Sequence, residues 1–218
     1  PGGRIWTEAE LSGLAAFCER NDLILVSDEI HSDIVFPGQT HRMTRLAAPK
    51  ARDRLITMTS ASKVFNLAGL RTGNVIIENA DMRARLTGFM DSINLQPNFF
   101  GVKVCEAAFS PEGAEWVDQL CAYLAGNARI FEEAVAGIPG VTATHMQATY
   151  LAWLDFAGTG MEMEEVRQRV YGEAKLCPTP GIDLGPGGEM CLRFNLGAPR
   201  SVILEAANRL ARAFSDLQ

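Results

Sequence analysis

Leu55-Ile56-Thr57-Met58-Thr59-Ser60-Ala61-Ser62-Lys63-Val64-Phe65-Asn66-Leu67-Ala68-Gly69-Leu70-Arg71-Thr72-Gly73 is the stretch around which the chain is organised. Its first five residues are apolar or β-branched and read as a buried strand. The strand ends in small hydroxyl residues followed at once by Lys63. An amine at the mouth of a buried strand is partly desolvated, which makes it a better nucleophile. Arg71 follows eight residues after Lys63, where a Gly-containing turn can return it to the same mouth. One amine, the hydroxyls of Ser60 and Ser62, and one guanidinium would then surround a single point.

That grouping suits a cofactor carrying both an aldehyde and a phosphate. Lys63 would form the Schiff base, while Ser60, Ser62 and Arg71 would hold phosphate oxygens, the arginine fork pairing bidentately. A bare Ser-x-Ser-Lys is commonly an ordinary strand-end lysine facing water; the spacing to Gly-Leu-Arg-x-Gly favours the site.

The chain has 218 residues, room for one large domain or two modest ones. A hydrophobic fraction of 47% and a charged fraction of 21% are those of a soluble globular protein, expected in the cytoplasm. A net charge of −6 without a basic stripe argues against nucleic acid as a partner, and no apolar run reaches membrane-span length. Five scattered cysteines (Cys18, Cys105, Cys121, Cys177, Cys191) lack CxxC spacing and read as reduced core thiols. The opening Pro1-Gly2-Gly3, without initiator Met, reads as cut from something longer.

Thr7-Glu8-Ala9-Glu10 is a capping box that starts an amphipathic helix with Leu11, Leu14, Ala15 and Cys18 on one side, ending near Asn21. Leu23–Val26 is expected to be a wholly apolar strand buried on both faces of a parallel sheet. Further strands are expected at Leu55–Thr59 and Asn74–Glu78, and helices at Asp81–Leu95, Gly101–Phe109 and Glu112–Ala136. After Gly137-Ile138-Pro139-Gly140 the pattern changes: strands at Val141–Thr144, Thr149–Phe156 and Met190–Leu196, with helices at Met163–Tyr171 and Ser201–Phe214. The first part reads as α/β and the second as α+β. The expected division places the end of a large domain at residues 1–125 and a small domain at residues 126–218.

Ligands of open α/β sheets sit beyond the carboxyl ends of the strands. Asp28 is just past such an end, where a carboxylate can bond a protonated pyridine nitrogen and keep that ring an electron sink. A helix cap or solvated loop acid is the competing reading, and Glu29 or Asp33 could equally be those. His31 could reach the ring's phenolic oxygen; His41 and His145 lack metal-ligand spacing and read as structural, so no metal site is expected. Arg193 is a charge inside the apolar run Cys191–Leu196, expected to face a cleft and pair with a carboxylate. A substrate α-carboxylate fits; an internal Glu or Asp is the alternative. Gly185-Pro186-Gly187-Gly188 is a flexible turn. No Gly-x-Gly-x-x-Gly follows a strand and no Gly-x-Ser-x-Gly elbow is present, which leaves nicotinamide and hydrolase chemistry without support.

Pro1-x-Gly3, Ser27-Asp28-Glu29-Ile30-His31, Ser60-Ala61-Ser62-Lys63 with Arg71, Thr149–Asp155, and Arg193-x-Asn195-x-Gly197-x-Pro199-Arg200 occur in order along the chain. Together they resemble the fold-type I pyridoxal-phosphate-dependent enzymes, class I/II aminotransferase-like. Asp-Glu-Ile-His and Tyr-Leu-Ala-Trp-Leu-Asp are similar to the MalY/PatB subgroup of cystathionine β-lyases. The resemblance implies an α/β PLP-dependent transferase-like fold: the second half of a large mixed-sheet domain plus a C-terminal α+β domain. The first two-fifths would be missing, and with it part of a homodimer's shared active site.

By the same resemblance the cofactor is pyridoxal 5′-phosphate. Lys63 is its Schiff-base lysine and the acid and base at the α-carbon, Asp28 pairs with the pyridine nitrogen, and His31 lies near the phenolic oxygen. Ser60, Ser62 and Arg71 serve the phosphate, and Arg193 binds the carboxylate of a small amino-acid substrate. The implied reaction is β-elimination from an L-cysteine S-conjugate such as cystathionine, giving thiol, pyruvate and ammonia. Transamination is the alternative within enzymes, since Arg71 is typical of aminotransferases. A non-catalytic regulatory binding module is the alternative outside them.

Overall fold

The computed structural model describes residues 2–217, which divide into two compact units: residues 5–35 with 40–120, and residues 2–4, 36–39 and 121–217. The first unit opens with α1 (Glu8–Arg20). Its capping box forms as expected: Glu10 N–H donates to Thr7 Oγ1 at 3.2 Å, and Thr7 N–H donates to Glu10 Oε2 at 2.8 Å. Leu11, Ala15 and Cys18 are buried along one face; Leu14, expected with them, is exposed.

β1 comprises Leu25–Asp28, two residues later than the expected 23–26, and it is not buried on both faces. Leu25 is buried but Val26 and Ile24 are each 53% exposed. The physical reason is its place in the sheet: among the described strands it pairs only with β2, so it is an edge. Leu23 is held outside the ladder, its carbonyl accepting from Arg54 Nη1 at 2.9 Å. A short α2 (Thr44–Ala47) and a 3₁₀ turn (Pro49–Arg54), neither foreseen from the sequence, lead into β2 (Leu55–Thr59). Ala15, Cys18, Leu25, Ala48, Ala51 and Leu55 close one small core.

β2 runs parallel to β1 and antiparallel to β3 (Asn74–Ile77), giving the sheet order β1-β2-β3. α3 (Ala80–Ser92) follows, capped by Asn79, whose Oδ1 accepts from the Asp81 and Met82 N–H groups at 3.0 Å each. Replacing Asn79 by alanine removes this cap and should cost about 1 kcal/mol, measured as a shift in urea midpoint with unchanged slope. α4 (Phe99–Ala108) is capped by Asn98, and the unit division falls inside α5 (Pro111–Ala136), between Leu120 and Cys121.

In the second unit β4 (Thr142–Ala143), β5 (Leu151–Asp155), β6 (Thr179–Pro180) and β7 (Cys191–Asn195) form an antiparallel sheet in the order β4-β5-β7-β6. α6 (Met163–Arg167) continues as a π-helical turn, Gln168–Glu173, and α7 (Arg200–Ala213) closes the chain. Phe156 stacks at 5.6 Å on Phe214, and Phe131 at 5.3 Å on Phe194, so strand and helix side chains share one core. Gly3 belongs to this unit: its φ of +79° needs glycine, and its carbonyl accepts the Gln147 and Ala148 N–H groups. Pro1, named with Gly3 in the sequence motif, lies outside the described residues. Among the described residues no helix is long and apolar enough to cross a membrane.

Candidate active site

Because β1 and β2 are parallel, with Asp28 opposite Met58, their carboxyl ends emerge at the same edge of the sheet. β3 runs back the other way and begins with Asn74 opposite Thr59. The segment just before β3, Arg71–Gly73, therefore returns to that edge as well. Topology alone thus gathers Asp28, the last residue of β1, with Ser60–Lys63, which leave β2, and Arg71.

The two serines are tied directly to the returning segment. Ser60 Oγ lies 2.8 Å and Ser62 Oγ 3.2 Å from the Thr72 carbonyl, and the two hydroxyls are 2.8 Å apart. Two hydroxyl protons serve these three contacts, so only two can be made at once, and each hydroxyl can be re-aimed only by giving one of them up. Ser62 N–H also donates to Ser60 Oγ at 3.1 Å, which fixes the turn that presents Lys63. Lys63 is half-buried within the turn 61–66. Arg71 is exposed, in the left-handed region with φ 48° at the end of a 3₁₀ turn, Ala68–Leu70. A non-glycine residue there is uncommon and marks a backbone held by its surroundings.

Asp28 is exposed, with Oδ1 accepting the Ile30 N–H at 3.2 Å. His31 is half-buried in the turn that follows. Its neighbour Glu29 is the residue whose part was not read from the sequence. Only 5% exposed, Glu29 accepts from Ser27 Oγ and the Thr44 N–H at 3.0 Å each, and its other oxygen lies 2.8 Å from His41 Nε2. Burial pushes the Glu29 carboxyl up, but the bonds to His41, Thr44 and Ser27 outweigh it and hold the group below the ordinary carboxylate range. Side chains alternate along a strand, so Ser27 and Glu29 facing this buried cluster turn Asp28 to the opposite side. The partner His41 is twelve residues away in sequence, and no local pattern links the two.

A depressed carboxyl contributes stability above its unfolded value, and that contribution disappears as pH falls through the folded one. Glu29→Gln should therefore be less stable than the parent near neutral pH, with the difference shrinking below about pH 4. Urea unfolding at the two pH values checks the sign.

Arg193 lies in the other unit, on β7 between Trp153 of β5 and Thr179 of β6. It is half-buried; its Nε is buried and has no hydrogen-bond partner among the described residues. The internal Glu or Asp raised as an alternative is not bonded to that nitrogen. The segment beyond β7 is tied to α5 by Asn127, fully buried, whose Nδ2 donates to the carbonyls of Leu196 and Ala198 at 3.0 and 2.9 Å. Its Oδ1 accepts from Arg200 Nε at 3.1 Å, and the Arg200 guanidinium lies 4.5 Å from the Tyr123 ring centre. An asparagine in the apolar stripe of Leu124, Ala128 and Phe131 was the available signal for this tie. His145 Nδ1 lies 3.1 Å from Glu132 Oε2 on the surface, and Gly185–Gly188 is a loop. Cys18, Cys121 and Cys191 are buried, whereas Cys177 is exposed and not a core thiol.

Among the described residues no group of three or more His, Cys, Asp or Glu side chains could hold a metal ion. The donor set suits an organic phosphate bearing an aldehyde: an amine, two hydroxyls, a guanidinium and an exposed carboxylate, all from one sheet edge.

The family described as Aminotransferase class I and II matches residues 1–210. The chain belongs to this family. It is 33% identical over 217 residues to cystathionine beta-lyase PatB of Bacillus subtilis (strain 168), covering 99% of this chain and 56% of that protein. It is also 33% identical to the protein MalY of Escherichia coli (strain K12), over 98% of this chain and 54% of MalY. Among solved structures, cystalysin from Treponema denticola, which contains a pyridoxal 5′-phosphate cofactor, is similar with TM-score 0.91 and 34% identity. That likeness covers 99% of this chain and 55% of cystalysin. The fold is accordingly the fold-type I arrangement expected from the sequence, and the chain spans little more than half the length of these relatives.

Proposed function

We propose that the protein is a pyridoxal-phosphate-dependent C–S lyase that cleaves cystathionine or a related L-cysteine S-conjugate to thiol, pyruvate and ammonia. The observation that carries the chemistry is the convergence of Asp28, Ser60–Lys63 and the Arg71–Thr72 turn at one edge of the sheet. The choice of reaction is supported by the relatives named as cystathionine beta-lyases, PatB among them.

Ser60, Ser62 and Arg71 would hold the phosphate, Asp28 would accept from the protonated pyridine nitrogen, and His31 would serve the phenolic oxygen. When bound, the cofactor supplies an aldehyde for an amine and a ring that draws electrons from the bonds at the α-carbon. Lys63 would take the proton from the substrate's Cα as the C–S bond at Cβ breaks. The Cα–H electron pair becomes the Cα=Cβ double bond, and the C–S pair leaves on sulfur as a thiolate that takes up a proton. Water hydrolyses the released unsaturated amine to pyruvate and ammonia. Arg193 orients the substrate by its α-carboxylate through a charge-assisted contact. The proposed assembly is a cytoplasmic homodimer whose copies share the active site.

Incubating the intact protein with cystathionine tests the reading. Keto acid and free thiol formed in the absence of any added acceptor support a lyase. Strict dependence on an added keto acid would make the protein an aminotransferase instead.

A further inference from the structure

The turn before β3 is gripped from two directions. The carbonyl of Thr72 is taken by the Ser60 and Ser62 hydroxyls, at 2.8 and 3.2 Å. Its side chain abuts Gly101 in the first turn of α4, where the Asn98 cap fixes the backbone by accepting the Gly101 N–H at 3.1 Å. A Cβ at position 101 would lie 1.8 Å from Thr72 Oγ1, 2.8 Å from Thr72 Cβ and 3.3 Å from the Leu70 carbonyl. Rotating the threonine relieves only the first of these. It also breaks the bond from Thr72 Oγ1 to the Leu70 carbonyl, at 3.0 Å. The second contact is to Cβ, which no side-chain rotation moves, so the backbone at residue 72 must shift. The serine hydroxyls would lose their common acceptor at its present position, and Arg71 precedes the displaced residue directly.

We propose that Gly101 is a positioning residue for the phosphate end of the cofactor site: the missing side chain at the start of α4 sets the place of Thr72 and, through its carbonyl, of Ser60 and Ser62. This rests on the reading of that site as a pyridoxal-phosphate site. Gly101 touches neither substrate nor cofactor in this account. Glycine is required at 101 for proximity and not for backbone freedom, since the residue is buried within a helix and has no positive φ.

The test compares pyridoxal phosphate with pyridoxal, which has the same aldehyde and no phosphate, on the intact protein and on Gly101→Ala. Binding is read from the absorbance that Lys63 gives on bonding the aldehyde. Gly101→Ala should weaken pyridoxal phosphate about tenfold or more, the scale of an overpacked contact, and leave pyridoxal within about twofold. In a Thr72→Gly background, which removes both clashing atoms, the same substitution should cost less than about threefold. Equal weakening of the two aldehydes, no weakening, or a cost undiminished beside Thr72→Gly would each overturn the proposal.

Hydrogen exchange without any cofactor supplies a second readout: residues 71–74 should exchange faster in Gly101→Ala while β1 and β2 do not. Unchanged exchange there overturns the positioning role on its own. A parent protein that gives no aldehyde absorbance while Gly101→Ala loosens residues 71–74 would instead sink the cofactor reading.

Discussion

Lys63→Ala should abolish the absorbance expected when pyridoxal phosphate is added, and lower release of keto acid from cystathionine by about a thousandfold or more. Two roles fall on this one amine. In the proposed reaction it would bond the aldehyde and would carry the proton at the substrate's α-carbon, a positioned acid–base role worth about 10²–10⁴ by itself. The fold should tolerate the change, because Lys63 is half-buried in a turn held by Ser60 and by the Phe65 N–H to Ala61 carbonyl bond. Lys63→Arg should fail as well, since the guanidinium stays protonated and cannot serve as the nucleophile. Retention of lyase turnover in either variant would remove the basis of the proposed function. A regulatory role by contact alone would survive both substitutions.

Arg193→Met is expected to lower kcat/KM for cystathionine roughly 30-fold or more, the scale of about 2 kcal/mol lost when one partner of a desolvated charge pair is cut away. The loss should fall mainly on KM. It should also be nearly absent for a substrate analogue whose α-carboxylate has been replaced by hydrogen, a comparison that separates carboxylate binding from general disturbance of the β-sheet. The free protein should not suffer: the Arg193 Nε is buried without a partner, so removing it takes away a desolvation cost and leaves the flanking Leu192 and Phe194 in place. An Arg193→Met protein that is less stable without substrate, yet equally active on both compounds, would show the arginine to be structural.

Much of the architecture was legible because it is written in local chemistry. The capping box at Thr7–Glu10, the strand Leu55–Thr59, the long helix closed by Gly137 and the terminal helix each depend on residues a few positions apart, and each forms close to its expected bounds. The strand at 23–26 did not, since four apolar residues in a row cannot say whether both faces will be covered; Val26 lies on an edge strand and stays exposed. The helix expected at Met163–Tyr171 changes to a π-helical turn after Arg167, and the short elements α2 and β6 were too brief for any period to register.

For the candidate site, sequence order alone determined which residue types stand at the strand ends: Lys63 after two hydroxyls, Asp28 after an apolar run, Arg193 inside one. Local propensity and spacing act over a handful of residues, so they reach that far. The tertiary structure decided everything that needs two distant segments at once. The antiparallel return of β3 brings Thr72 to Ser60 and Ser62, His41 and Thr44 bury Glu29 and so turn Asp28 outward, and α4 leaves room at residue 101 for a glycine alone. Such contacts follow from hydrogen-bond satisfaction and close packing among buried groups, which depend on the path of the whole chain and leave no periodic trace along it.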